Sequence, residues 1–432
     1  MSITTRETIA PNPAYKGQHR EGRSPADTER MRVPFLIAGA ALSLASVSRL
    51  LTSQLAYGAL AAIGLLHVLA YLKFYLRVRV SLTEVAYLVM CVSSTFWSAN
   101  RSTTVARMPS LISFVLLALL IGPALGVAGV CEVFTKVTRF FVVVALAAGY
   151  ALPNWARDPG IPGETGWASI VASKNYLGLL GVLCFASAVL APAVRRRVLW
   201  AALSVLLVVE SRSATSLALV FVTLGSAAFS LAVRQFNSKR KQRFIIAFLS
   251  ALASAFALSI VLDASFAAGL LGRDGTLTGR TAIWDFVWRR IKERPWLGHG
   301  YQAYWNVDNE FTVNIKRTVG FPVTSAHQGL LDVLLGIGVV GLLVVLVMLG
   351  TAILRTFGDR RVPGRNRVSP QLMLWARGIV LIYSIETFSE SCLTTVFVVP
   401  LLMVISAVTS ETTFFQRRAD PLSTPLASAL NT

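Results

Sequence analysis

Charge is scarce in this chain of 432 residues: Asp, Glu, Lys and Arg make up 14% of it, against about 25% in an ordinary soluble domain. Hydrophobic residues reach 54% and mean hydropathy is +0.62, which excludes a single water-soluble fold. Acidic residues are the scarcer sign, 21 against 41 Lys and Arg, for a net charge of +20. On a soluble protein that excess would point to nucleic acid. Here the basic residues sit in short loops between apolar blocks, and no basic groove with interleaved aromatics occurs, so topology rather than nucleic-acid binding explains the charge. The four cysteines, Cys91, Cys131, Cys184 and Cys392, lie in or beside apolar blocks without paired spacing. They are small packing residues, neither a disulfide framework nor a metal site. No Gly-x-x-x-x-Gly-Lys-Ser/Thr stretch is present, which excludes a P-loop ATPase. No His, Cys and carboxylate cluster has metal-ligand spacing, and no cofactor is expected.

What is abundant is apolar sequence in runs that can cross a bilayer, which takes roughly 20 residues as a helix. The blocks are 33–48, 53–75, 81–97, 109–129, 138–153, 174–193, 198–210, 214–233, 244–264, 326–352, 373–390 and 394–412. Backbone polar groups in lipid need internal partners, so these blocks must be helical. The fold class expected is an all-α polytopic membrane protein of about twelve spans. Residues 1–32, polar and carrying Pro11, Pro13 and Pro25, form a disordered cytoplasmic tail rather than a signal peptide. Residues 33–413 form the membrane domain, and 414–432 a second cytoplasmic tail.

Basic loops give the orientation. Lys73, Arg77 and Arg79 follow the second block, Arg195–Arg197 the sixth, Arg234 to Arg243 the eighth, Arg355 to Arg367 the tenth, and Arg417 and Arg418 the twelfth. Every cluster follows an even-numbered block, which puts both termini in the cytoplasm. The odd-to-even connections 154–173 and 265–325 then face the other side.

The candidate chemistry gathers on that outer face. Thr278 to Pro295 has the pattern of an amphipathic helix capped by Thr278 and ended by Pro295. Ile283, Val287 and Ile291 form its stripe, with Trp284 and Trp288 beside it, as suits a helix lying in the membrane interface; the alternative is a lid packed on the bundle. Arg280, in its first turn, adds a guanidinium fork where free N–H groups already favour an anion. Arg212 lies at the tip of a hairpin between two apolar blocks, where a charge costs about 2.5–3.5 kcal/mol and is usually paired or functional. His327 opens the block 326–352, and its neutral imidazole can accept a proton from a hydroxyl. Lys174 opens the sixth block at the same face and is either a third positive group or an interfacial anchor.

His327-Gln328, a nine-residue gap and Gly338-Val-Val-Gly341 resemble the signature of the O-antigen ligase and polymerase superfamily. Thr278-Gly279-Arg280, Trp284 and Pro295-Trp-Leu-Gly298-His-Gly300 resemble the segment that precedes that histidine, and Ser211-Arg212-Ser213-Ala214-Thr215 its arginine-bearing hairpin tip. Within the superfamily the chain is most similar to exopolysaccharide polymerases of the rhizobial type. The resemblance implies a metal-independent, inverting glycosyltransferase with a helical, lipid-donor (GT-C-like) fold. Its donor would be an oligosaccharide on undecaprenyl pyrophosphate at the periplasmic face. Its acceptor would be a lipid-linked repeat unit, or lipid A core if the protein is a ligase, and a chain-length regulator is a possible partner. Arg212 and Arg280 would hold the pyrophosphate, with Lys174, Arg289 and Arg290 as further candidates. His327 would deprotonate or orient the acceptor hydroxyl. A polysaccharide transporter or flippase is the alternative of a different class; it would place ionisable residues deep in several helices.

Overall fold

The computed structural model describes residues 80–158, 166–171, 173–192, 194–235, 280–306, 309–320, 323–356, 368–395 and 398–416, with positions 62, 66 and 69. The tail 1–32, the expected spans 33–48 and 244–264, all but three residues of 53–75, the segment 265–279 with Thr278, the basic loops 236–243 and 357–367, and residues 417–432 lie outside the described residues. Among the described residues the chain is helical, with one isolated bridge, Arg157 to Trp167. In order the helices are α1 (Leu82–Ser93), α2 (Arg101–Ala151), α3 (Pro153–Ala156), α4 (Lys174–Leu190), α5 (Arg197–Ser211), α6 (Ala214–Gln235), α7 (Arg280–Glu293), α8 (Glu310–Val319), α9 (Gly329–Thr356), α10 (Pro370–Glu386) and α11 (Val398–Gln416). Two stretches, Arg101–Pro123 and Gly329–Thr356, are long and apolar enough to cross a membrane.

One large apolar core joins α2, α4, α9, α10 and α11, with fully buried Leu117, Leu177, Ile379 and Leu402. The four cysteines are buried and unpaired within it. The expected connection at 130–137 between two spans is absent; α2 runs through it as helix and breaks instead at Gly126, where φ is 66° and ψ 175°. The residue types explain the shift. Residues 130–137 contain neither Gly nor Pro, and Glu132 and Lys136 form an i,i+4 ion pair of 2.7 Å. Pro123 removes a helix donor just before a glycine free to take positive φ. Residues near both ends of α2 meet one end of the bundle: Arg107 Nη2 donates to the Trp305 carbonyl, while the Tyr150 hydroxyl bonds Glu210 at 3.0 Å. The break therefore turns the chain back.

A second break, in α9 at Gly338 (φ 67°, ψ −168°), receives the strap Pro295–Gly300. Four backbone hydrogen bonds hold it: His299 N–H to Leu335 O and Gly300 N–H to Gly336 O at 2.8 Å, Val339 N–H to Pro295 O at 2.8 Å, and Val340 N–H to Trp296 O at 3.2 Å. A Cβ on Gly338 would stand 2.3 Å from the Trp296 carbonyl oxygen, and one on Gly298 2.7 Å from the backbone of Gly336 and Gly338.

The apolar stripe of α7 does not lie in lipid as expected of an interfacial helix. Ile283, Val287 and Ile291 are buried against Phe311 and Ile315 of α8 and Leu331 and Leu335 of α9. Burial of that stripe gains more from protein than from a headgroup layer, because both neighbouring helices offer matching apolar faces. The helix is a lid.

Gly338→Ala is expected to lower thermal stability in detergent by about 1–3 kcal/mol through overpacking against backbone. Gly350→Ala, where a Cβ meets nothing within 4 Å, should be neutral or raise stability by up to about 1 kcal/mol. Equal melting shifts for the two variants would show that the interlock at Gly338 is not tight.

Candidate active site

His327 takes a left-handed backbone conformation, φ 49°, uncommon for a residue with a side chain. Its neighbours impose it. The Ala326 N–H donates to the buried Asp332 carboxylate at 3.1 and 3.3 Å, and the Ala326 carbonyl accepts from Trp284 Nε1 of the lid at 3.0 Å. His327 N–H donates to Ser325 Oγ at 3.3 Å. Gln328 Oε1 accepts from the Leu331 N–H, capping α9. Gly329 N–H donates to the Thr387 carbonyl at 2.7 Å, tying the helix start to the end of α10. A strained residue held by this many bonds is a feature of functional sites.

The imidazole points at Glu390, in the turn after α10, with Nδ1 3.2 Å from Oε2 and 3.4 Å from Oε1. Arg280, the first residue of α7, donates from Nη2 to Glu390 Oε1 at 3.0 Å and from Nη1 to the Ser389 carbonyl at 2.9 Å. Asn175, in the first turn of α4, donates from Nδ2 to Oε1 at 2.5 Å. The Glu390 side chain is 1% exposed, whereas those of Arg280 and His327 are 22% and 26% exposed. The carboxylate thus forms the back wall, and the guanidinium and imidazole reach the surface. A buried carboxylate needs such partners, since an unpaired charge in the interior is very costly. An incoming anion would meet Arg280 as half of an ion pair, with three of its five N–H donors given no partner among the described residues.

The other expected cations are distributed as follows. Arg212 caps α5 in the left-handed conformation, φ 50°, exposed between buried Ser211 and Ser213. Glycines admit this tip against α4: a Cβ on Gly166 would stand 2.6 Å from the Ser211 carbonyl, and one on Gly178 2.3 Å from Ser216 Oγ. Lys174 opens α4 beside Gly166, its backbone N–H donating to Asp158 Oδ2 at 2.7 Å. Arg212 and Lys174 therefore share the end of the bundle where Asn175 holds Glu390, but no described contact joins Arg212 to the His327–Glu390–Arg280 cluster. Arg289 and Arg290 are not part of it. They lie more than two turns further along α7: Arg289 faces the Phe286 ring at 5.9 Å, while Arg290 pairs with Glu293 at 3.0 Å and faces the Tyr304 ring. Helix geometry turns them toward these neighbours.

Glu390 and Asn175 are the members that sequence reasoning missed. Glu390 falls at the end of the expected span 373–390, four residues after Glu386, which is also fully buried. Carboxylates inside an apolar block are costly and usually paired or functional, and that was the available signal.

The strap carries a second histidine. His299 is 2% exposed; its Nε2 lies 2.7 Å from the Arg290 carbonyl and its Nδ1 3.2 Å from the Tyr304 hydroxyl. The carbonyl can only accept, so Nε2 carries the proton and Nδ1 accepts from Tyr304. Burial pushes its pKa below the ordinary value near 6.5, with Arg294 and Arg290 adding to it against the carbonyl bond and Glu293.

Residues 198–346 match the family model described as O-antigen ligase, a segment that contains Arg212, Arg280, His327 and both glycines of the Gly338-Val-Val-Gly341 motif. The chain is also similar to the exopolysaccharide production protein ExoQ of Rhizobium meliloti (strain 1021), at 25% identity over 314 residues, 68% of this chain and 69% of the relative.

Because His299 is held neutral in the fold, its contribution to stability is present above the unfolded value and lost as pH falls through the lower folded one. Wild-type protein should lose more thermal stability than His299→Gln as pH drops from about 6.5 toward 5. Parallel stability curves for the two proteins would remove His299 from the acid sensitivity of the lid.

Proposed function

We propose that this chain, whose residues 198–346 match the family model described as O-antigen ligase, polymerises oligosaccharide repeat units carried on undecaprenyl pyrophosphate into an exopolysaccharide or O-antigen-type chain. The observation that carries this is the convergence of His327 and Arg280 on one buried carboxylate, at one end of an otherwise apolar helical body. The apolar body suits a prenyl chain, and the polar end suits the pyrophosphate and sugar.

The transfer proceeds at the periplasmic face. Arg280 and Arg212 hold the pyrophosphate, with Lys174 adding positive charge; pyrophosphate leaves readily once its developing charge is matched, which preorganised guanidinium groups provide. The acceptor sugar hydroxyl is a poor nucleophile, and His327 takes its proton as the oxygen bonds to the anomeric carbon. The bond from that carbon to the pyrophosphate oxygen breaks on the opposite side, releasing undecaprenyl pyrophosphate with inversion. Polymerisation is preferred to ligation onto lipid A core because the similar ExoQ is by name an exopolysaccharide production protein.

The test is a reconstituted assay in lipid nanodiscs with lipid-linked repeat units, run with and without lipid A core. A ladder of polymer without core is the expected result, and product only with core would make the protein a ligase. His327→Ala should lower kcat by about 10²–10⁴-fold, while Arg212→Ala should mainly weaken use of the donor. Wild-type polymer yield from His327→Ala would refute the base.

A further inference from the structure

The carboxylate behind the two exposed groups has no counterpart among the residues that the family signature marks. Glu390 lies beyond the matched segment 198–346, and Asn175 lies before it. Yet, among the described residues, the imidazole and the guanidinium that the signature does mark share Glu390 as a common partner. Three polar side chains from three different elements point at it: Asn175 from α4, Arg280 from α7 and His327 from the loop before α9.

Hydrogen-bond chemistry then fixes the imidazole. An ionised carboxylate only accepts, so the nitrogen facing it, Nδ1, must carry the hydrogen. Nε2 is left with its lone pair, and no described residue bonds it. That is the tautomer a general base needs, aimed away from the buried wall toward the exposed side. The same carboxylate oxygen that receives Asn175 also receives Arg280, so the guanidinium and the imidazole are held in fixed relation to each other.

We infer that Glu390 is a positioning residue for glycosyl transfer: it sets His327 in the Nδ1–H tautomer, balances the imidazolium that forms, and locks the anion-binding guanidinium of Arg280 beside the base, with Asn175 holding the carboxylate in place. The inference rests on the glycosyl-transfer function proposed above. During the step the acceptor O–H proton moves to Nε2 and gives an imidazolium. Its positive charge faces Glu390, whose own proton inventory does not change. The acceptor oxygen keeps the electron pair and forms the new glycosidic bond, and the electron pair of the breaking bond leaves with the prenyl pyrophosphate.

The groups facing this centre are Glu386 from the end of α10, Glu390 and Cys392 from the turn after it, Arg280 from α7, Asp332 from α9 and Tyr176 from α4. Loss of the Glu390 carboxylate removes the nearest counter-ion of the imidazolium. Without that charge the protonated imidazole formed during transfer is less stabilised.

The experiment compares full-length wild type, Glu390→Gln, Glu390→Asp and His327→Ala in nanodiscs with lipid-linked repeat units. Glu390→Gln should lower kcat by about 10²–10⁴-fold, the scale of losing a tautomer-setting carboxylate, with a much smaller change in KM for the donor. The acid limb of its pH–kcat profile should move to lower pH, and Glu390→Asp should recover part of kcat and of the limb. Full kcat and an unmoved limb in Glu390→Gln, with His327→Ala inactive, would overturn the role of Glu390 and leave the base intact. Wild-type activity in His327→Ala would instead overturn the proposed function and this inference with it. Should Glu390→Gln fail to fold, 15N-histidine NMR of the wild type decides. The chain has only four histidines, and the signal lost in His327→Ala must report hydrogen on Nδ1; hydrogen on Nε2 alone at rest refutes the inference.

Discussion

A single buried negative charge organises one end of this protein. Glu390 is almost fully enclosed, and an interior carboxylate is tolerable only when its oxygens are met by donors. Its donors come from α4, α7 and the loop before α9, segments far apart in sequence. Satisfying one carboxylate therefore fixes where the lid begins, where α9 starts and how α4 presents its first turn. Removing any one partner would leave the buried charge with fewer donors, so the elements are bound to one another more tightly than their apolar contacts alone would make them.

Around that charge the scaffold is built from helices that break on purpose. Gly126 turns α2 back on itself, and Gly338 opens α9 to admit Pro295–Gly300. At the second break the contact is backbone to backbone, with glycines on both sides, so the lid docks at a distance no side chain could allow. The lid then reaches forward through Trp284 to the carbonyl next to His327. The strained histidine, the docked lid and the buried carboxylate form one connected piece.

Much of this was legible in the sequence, for identifiable reasons. Apolar runs announced the helices, because a helix has no other way to satisfy its backbone in an apolar setting. Arg280 and His327 stood out as polar residues at the edges of such runs. The Gly-x-x-Gly motif announced close backbone approach, although not what approaches. Glu390 stayed hidden because a hydropathy window averages one carboxylate away among apolar neighbours. The turn at Gly126 was misplaced because residues 130–137 are polar enough to look like a loop, yet lack any helix breaker. The destination of the α7 stripe was ambiguous, since lipid and protein both accept an amphipathic face; only the presence of α8 and of the first part of α9 decides between them. Arg289 and Arg290 illustrate a further limit: charge on the right helix says nothing about which way it turns.

The half-helix between His327 and the break at Gly338 acts as a ruler. At 3.6 residues per turn, each residue added or removed would rotate the histidine by about 100° about the helix axis and shift it by about 1.5 Å. The lid is pinned at one end of this ruler and the imidazole is carried at the other. Apart from Gln328 and Asp332, whose side chains hold the backbone around His327, amino-acid identities along it can vary as long as they stay apolar toward the lid, but its length cannot, so insertions and deletions there are excluded far more strictly than substitutions.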